Sequence, residues 1–221
     1  MVEWGRVDTV VFDVDGTLYD QGRMRRLMLR DMGLACLARP RSIGFVRILA
    51  EFRRCREALA EAGGSGIAVR QYEVPARRLG VSPAEIERIV EDWMGRRPLA
   101  HLDRCRHRGV AELFDRLRRS GRTIGVFSDH AVGDKLSAMG LRADITVSAT
   151  DPHIDRLKPD PAGLLHILQQ TNTRPERCLM IGDRDELDGA AARRASVPAL
   201  IRGRQGHFRS YEEPAFLAMP A

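Results

Sequence analysis

Short aliphatic runs recur along this chain with helix-period patterns between them, and few folds satisfy that alternation. Thr9-Val10-Val11-Phe12, Arg122-Thr123-Ile124-Gly125-Val126-Phe127, Asp144-Ile145-Thr146-Val147, Cys178-Leu179-Met180-Ile181 and Pro198-Ala199-Leu200-Ile201 each read as a strand. All are short and β-branched or aliphatic, as strands covered on both faces are. Strands separated by helices call for a parallel sheet with helices packed on it. The helices have legible ends. Val110 to Arg119 carries Val110, Leu113, Phe114 and Leu117 at helical spacing and stops at Gly121. Asp160-Pro161 supplies an N-cap and a first-turn proline to the next helix, with Leu164, Leu165 and Leu168 expected on one face.

The interval between the first two strands is long and contains no convincing strand. Met24, Leu27, Met28 and Ala35 share one helical face, and Ile48, Phe52, Cys55 and Leu59 share another. Ser82-Pro83-Ala84-Glu85 is a capping box opening a third helix that buries Ile86, Ile89, Val90 and Trp93. Gly63-Gly64-Ser65-Gly66 breaks the run as a flexible link. Residues 21–98 therefore read as an inserted helical bundle. They also hold the positive charge: 16 Arg against 9 Asp and Glu, a net of +7, which leaves 20 basic and 21 acidic residues elsewhere. The pI near 9.7 thus belongs to one segment. The tail after Gly203 gives no pattern.

With 43% hydrophobic and 30% charged residues the chain has the make-up of a globular protein and lacks the low hydrophobicity of a disordered one. It shows no basic start followed by an apolar run and no uncharged stretch near the roughly 18 residues of a membrane span. A cytoplasmic protein without a membrane span is the expectation. Cys36, Cys55, Cys105 and Cys178 are scattered without metal-ligand spacing and read as reduced structural thiols. Only two lysines, Lys135 and Lys158, occur among 36 basic residues, so the basic bias is almost wholly arginine. No aromatic-studded basic stripe accompanies it, and nucleic acid is not an expected partner. Nothing in the pattern fixes an oligomeric state.

Asp13-Val14-Asp15-Gly16-Thr17 follows directly on the first strand. Strand alternation puts Asp13 and Asp15 on one side, at the carboxyl end of the sheet, where open α/β proteins bind ligands. Two acids placed there are costly unless a cation or a proton holds them. From this point the sequence resembles the haloacid dehalogenase (HAD) superfamily, whose first motif is Asp-x-Asp-Gly-Thr. The other three motifs follow in order. Phe127-Ser128 places a serine at a strand end, Lys158-Pro159-Asp160-Pro161 a lysine before a helix, and Ile181-Gly182-Asp183 with Asp188 matches Gly-Asp-x-x-x-x-Asp. The resemblance runs from about residue 13 to 202. It implies an α/β fold with a Rossmann-like, doubly wound parallel sheet core made of residues 1–20 and 99–221, and a helical cap at 21–98. Only 28 residues lie between Asp129 and Lys158, too few for a cap at that point.

The resemblance also implies roles. Asp13 is the nucleophile that becomes a phospho-aspartate, and Mg²⁺ is the cofactor, held by Asp13, the backbone carbonyl of Asp15, and Asp183. Asp188 supports the metal, and either it or Asp185 is an alternative direct ligand. Asp15 protonates the leaving alkoxide and then activates water, which asks for a carboxyl able to hold its proton near neutral pH. Ser128 donates its hydroxyl to the phosphate, the Asp129 amide binds it, and Lys158 neutralises charge. Asp129 departs from the more frequent Asn or small residue, so its carboxylate is expected to turn away. His130 reads as a loop histidine. The expected activity is a Mg-dependent phosphomonoester hydrolase, or phosphatase, acting on a small phosphorylated metabolite. A phosphomutase shares every motif, and a catalytically silent anion-binding module is the alternative outside enzymology. Asp15 and the acidic pair Asp183 and Asp188 argue against a dehalogenase, which needs neither.

Overall fold

Aliphatic side chains on every position of a strand can be buried only if helices cover both faces, and that is how the five runs are arranged. In the computed structural model, which describes residues 2–38 and 44–217, they form β1 (Thr9–Phe12), β2 (Thr123–Ser128), β3 (Ile145–Ser148), β4 (Cys178–Gly182) and β5 (Ala199–Ile201). Arg39 and Arg41 of the basic segment, and the outermost residues of the ranges 1–20 and 99–221, lie outside the described residues. The strands pair in the order β3-β2-β1-β4-β5, all parallel, with Phe12 level with Val126 on one side and Ile181 on the other. The fold is Rossmann-like α/β. The chain builds outward from β1 through β2 to β3 and then crosses to β4. The switch point falls between β1 and β4, where such sheets open a crevice at their carboxyl ends.

Between β1 and β2 the chain is helical: α1 (Gln21–Ala38), α2 (Gly44–Ala62), α3 (Ile67–Leu79), α4 (Pro83–Val90), a π-helical turn (Glu91–Arg96) and α5 (Arg97–Cys105). The Ser82 hydroxyl accepts from the Glu85 amide at 3.2 Å, so the capping serine starts α4 as its sequence indicates. Phe45, Ile48, Phe52, Ile86, Ile89 and Trp93 bury one another in a cluster of their own. A smaller cluster of Leu59, Ile67, Ala149 and Leu157 joins these helices to the segment after β3. Leu102 and Cys105 of α5 belong instead to the core under the sheet.

The remaining helices are α6 (Val110–Arg119), α7 (Gly133–Ala138), α8 (Ala162–Gln170), α9 (Ala190–Arg194) and α10 (Pro214–Leu217). Alternate strand residues face opposite cores: Val10, Phe12, Ile124 and Val126 pack against Leu113, Phe114 and Leu117 of α6, and Val11, Phe127 and Met180 against Leu164, Ile167 and Leu168 of α8. Two details differ from the sequence reading. Helix α8 begins at Ala162, with Asp160 accepting from the Ala162 amide at 2.9 Å, and Leu165 is 46% exposed because Ile167 fills the buried face in its place. The tail is also structured: Phe208, Tyr211 and Phe216 are buried with Trp4, and the Tyr211 hydroxyl donates to the Thr17 carbonyl at 2.9 Å, bracing the loop after β1. All four cysteines are free thiols. No helix among the described residues is long and apolar enough to cross a membrane.

Candidate active site

Asp13 extends the β1 ladder by one residue, its amide donating to the Ile181 carbonyl at 2.9 Å, and so it emerges at the crevice between β1 and β4. Its carboxylate is 6% exposed at residue level and both oxygens are engaged. The Thr17 hydroxyl donates to Oδ2 at 2.9 Å and the Lys158 ammonium to Oδ1 at 2.5 Å. Lys158, itself buried, also donates to Asp188 Oδ1 at 2.6 Å. The other oxygen of Asp188 accepts from the amides of Asp183 and Arg184, at 3.2 and 3.1 Å, and thereby shapes the turn that carries Asp183. Lys158 thus ties the end of β1 to the loop after β4.

Two glycines let these segments meet. At Gly16, φ is +101° and a Cβ would lie 2.1 Å from Asp183 Oδ2; at Gly182 a Cβ would lie 2.3 Å from that of Asp188. Gly16→Ala should therefore lower stability by at least about 1–2 kcal/mol for the backbone alone, with more from displacing Asp183. A thermal melt measures this, and an unchanged melting temperature would contradict the packing.

One carboxylate oxygen each from Asp13, Asp183 and Asp188 lies within 4.8 Å of the others. Asp183 Oδ1 is buried with no hydrogen-bond partner. Burial pushes Asp13 up to about 8 despite Lys158, with Asp188, Asp183 and Asp15 adding to the rise. Burial and then Asp188 push Asp183 up to about 6. Lys158 is held well above its ordinary value: burial works against it and the Asp13 and Asp188 charges overcome that. A cluster of acids raised this far is short of positive charge, and one of its acids carries an orphaned buried oxygen. The donor set, hard carboxylates at one focus, is what Mg²⁺ takes. Asp185 is outside the focus. Its side chain is 60% exposed and paired with Arg193, so a role for it as direct ligand is not supported.

Asp15 differs from the expectation. The Lys135 ammonium donates to both its oxygens, at 2.6 and 2.8 Å, and the Tyr19 hydroxyl donates to Oδ1. Burial favours the neutral acid here, but the Lys135 charge, with His130 and the hydrogen bonds from Lys135 and Tyr19, holds the carboxyl far below the usual carboxylate range. In this arrangement Asp15 is an anion and does not keep a proton near neutral pH. Ser128 ends β2, 1% exposed; its oxygen accepts from the His130 amide at 3.3 Å, which leaves its own hydrogen to donate. The Asp129 carboxylate does turn aside, accepting from the Lys158 amide at 3.1 Å. His130 is pushed down to about 3, by burial first and then by Arg56 and Lys135, so it is neutral. Arg56 of α2 is buried and donates to the Asp129 carbonyl at 2.7 Å and to Gln71.

Asp13, Asp183 and Asp188 therefore converge with Lys158, whereas the carboxylates of Asp15 and Asp129 are turned to Lys135 and to the Lys158 amide and Asp185 stands apart. Four neighbours were not foreseen as contributors: Thr17, Tyr19, Lys135 and Arg56. A signal existed for one of them. The chain has only two lysines, and both are buried in this site.

Comparison with known proteins finds relatives of the same fold. The family model for haloacid dehalogenase-like hydrolases matches residues 7–196. Among curated proteins, glyceraldehyde 3-phosphate phosphatase from Methanopyrus kandleri is 24% identical over 212 residues, covering 93% of this chain and 88% of that one. Pyrophosphatase PpaX from Bacillus thuringiensis is 31% identical over 104 residues, 43% of this chain and 47% of that protein, so the match spans about half of that relative. Among solved structures, the HAD-hydrolase YfnB from Bacillus subtilis, bound to magnesium, superposes with a TM-score of 0.68 at 16% identity, covering 97% of this chain and 99% of that one. A 2-haloacid dehalogenase from Pseudomonas syringae superposes with a TM-score of 0.61 at 19% identity, covering 94% and 90%.

Proposed function

Because the chain belongs to the haloacid dehalogenase-like hydrolases, we propose that it is a Mg²⁺-dependent phosphatase that cleaves a small phosphorylated metabolite through a phospho-aspartate on Asp13. The observation that carries this reading is the convergence of Asp13, Asp183 and Asp188 on one focus beside an unpartnered Asp183 oxygen. Asp13, Asp183 and the backbone of Asp15 would hold Mg²⁺, with Asp188 orienting the turn beneath. The ion supplies charge neutralisation for a phosphate dianion brought against a carboxylate. Likeness to a magnesium-bound HAD-hydrolase, to a glyceraldehyde 3-phosphate phosphatase and, over about half its length, to a pyrophosphatase supports the reading.

The chain's own residues then divide the work. An Asp13 oxygen forms a bond to phosphorus as the ester P–O bond breaks in line. Asp15, a carboxylate in the resting site, takes up a proton as the phosphate dianion binds beside it and gives that proton to the departing alkoxide; as a carboxylate again it takes one from the water that cleaves the phospho-aspartate, and the Asp13 carboxylate and free phosphate result. Ser128 donates to a phosphoryl oxygen, and Lys158 holds Asp13 in line while offsetting charge. Residues 21–98 act as a cap, with buried Arg56 as the arginine that reaches the Ser128–Asp129 loop.

A panel of phosphate esters, assayed by release of inorganic phosphate in Mg²⁺, tests the proposal. Turnover of at least one small monoester is expected. Isomerised ester in place of free phosphate would make the chain a mutase, and no turnover across a broad panel would leave only an anion-binding module.

A further inference from the structure

The grip on Asp15 is unlike anything the phosphoryl chemistry itself asks for. A single ammonium reaches both oxygens of that carboxylate, at 2.6 and 2.8 Å, from a residue 120 positions away in sequence. Lys135 is 6% exposed and lies on α7 just beyond the β2 motif, and among the described residues its ammonium hydrogen-bonds to Asp15 alone. The Tyr19 hydroxyl adds a third donor on Oδ1. A carboxylate with one free torsion at each of its two side-chain bonds would otherwise sample several rotamers. Held between an ammonium from α7 and a phenol from the loop after β1, it has one.

The group that does this is a lysine, in a chain that writes almost every other cation as arginine, and its compact ammonium donates to both oxygens from one point. Of 36 basic residues only Lys135 and Lys158 are lysine, and each is buried against one of the two acids of the first motif. The two lysines are thus parallel devices, one for the nucleophile and one for the proton-transfer acid.

Resting on the phosphatase reading above, we propose that Lys135 is a positioning residue for Asp15: it fixes the direction of that carboxylate so that proton transfer to the leaving group and from water meets the reacting atoms. It touches neither substrate nor phosphate and works only through Asp15. Two consequences separate this role from general structural support. Loss of Lys135 should weigh on esters that need a proton at the leaving oxygen and spare those that do not. It should also cost nothing further once Asp15 can no longer transfer protons, because effects of residues that act as a unit do not add.

The experiment measures kcat and KM for p-nitrophenyl phosphate and for phenyl phosphate, which differ in leaving-group acidity but little in shape. The proteins are the wild-type chain, Lys135→Met, Asp15→Asn and the double variant, all in saturating Mg²⁺. Lys135→Met should lower kcat on phenyl phosphate about 10- to 100-fold, the scale of a misplaced catalytic group, and on p-nitrophenyl phosphate only about threefold, with KM unchanged on both. In the Asp15→Asn background the same substitution should change kcat by less than about twofold. If Lys135→Met melts too low to assay, Lys135→Gln replaces it, and the double variant, in which no unpaired charge is left buried, still closes the comparison. Equal losses on both esters, or the same factor with and without the Asp15 carboxylate, would overturn the positioning role while leaving the phosphatase reading intact. No turnover by the wild-type chain of these two esters or of any monoester in the broad panel would overturn both.

Discussion

Asp13→Asn should fold normally and release phosphate slower than wild type by more than about 10⁴-fold, the scale of losing a nucleophile on which every later step depends. The fold should survive because the amide keeps the carboxylate's shape. Its oxygen can still accept from Lys158, and its nitrogen can donate to the Thr17 hydroxyl that now donates to Oδ2. Burial already pushes the Asp13 carboxyl up to about 8, so the ionised form is costly there and a neutral replacement carries no large stability penalty. The rate should collapse all the same, since an amide does not attack phosphorus and no neighbouring acid occupies the same line at the end of β1. Steady-state phosphate release and a melting curve on the same sample read the two halves of the expectation. A variant within tenfold of wild type would remove Asp13 from the chemistry.

Stripping Mg²⁺ with excess chelator should lower turnover by about 10³-fold or more, because the ion is asked for several kcal/mol of charge stabilisation and each 1.4 kcal/mol is a factor of ten. The structural ground is the charge balance around the focus. Three carboxylates converge there, Asp13 and Asp183 are pushed up to about 8 and about 6, and the Lys158 ammonium between Asp13 and Asp188, with Arg184 near Asp183, does not offset that rise. A second readout needs no substrate. On the proposed reading Mg²⁺ binds the folded chain and not the unfolded one, so added Mg²⁺ should raise the melting temperature, and Asp183→Asn should shift that response to higher concentration. Full activity in chelator together with a melting temperature indifferent to Mg²⁺ would contradict the account.

Much of this arrangement was readable in the chain because its causes are local. The strands announce themselves by aliphatic runs that only a doubly covered sheet can bury, and Asp13 and Asp183 by following such runs directly. Ser82 and the face of Ile48, Phe52, Cys55 and Leu59 are set by helix geometry alone, and all behave as their spacing requires. What escaped depends on tertiary encounters. Helix α3 carries Pro75 inside it, a residue that in sequence argues for a break. The tail beyond Gly203 has no period of its own; Phe208, Tyr211 and Phe216 gain meaning only on meeting Trp4. Lys135 is the instructive case. Nothing in Gly133-Asp134-Lys135 connects it to Asp15, and the crossover through β2 brings them together, so the sequence points to a proton-holding Asp15 where an ion pair stands.

The covalent phospho-aspartate is the centre of the account, and one measurement reaches it directly. A radiolabelled monoester that the chain turns over is mixed with enzyme and Mg²⁺, quenched in acid within milliseconds, and the protein-bound phosphate is counted and mapped. The label should appear in the wild-type chain before free phosphate reaches its steady rate, in the peptide containing Asp13, and should be absent from Asp13→Asn. Wild-type turnover with no protein-bound phosphate at any quench time, or label on a peptide that lacks Asp13, would contradict it.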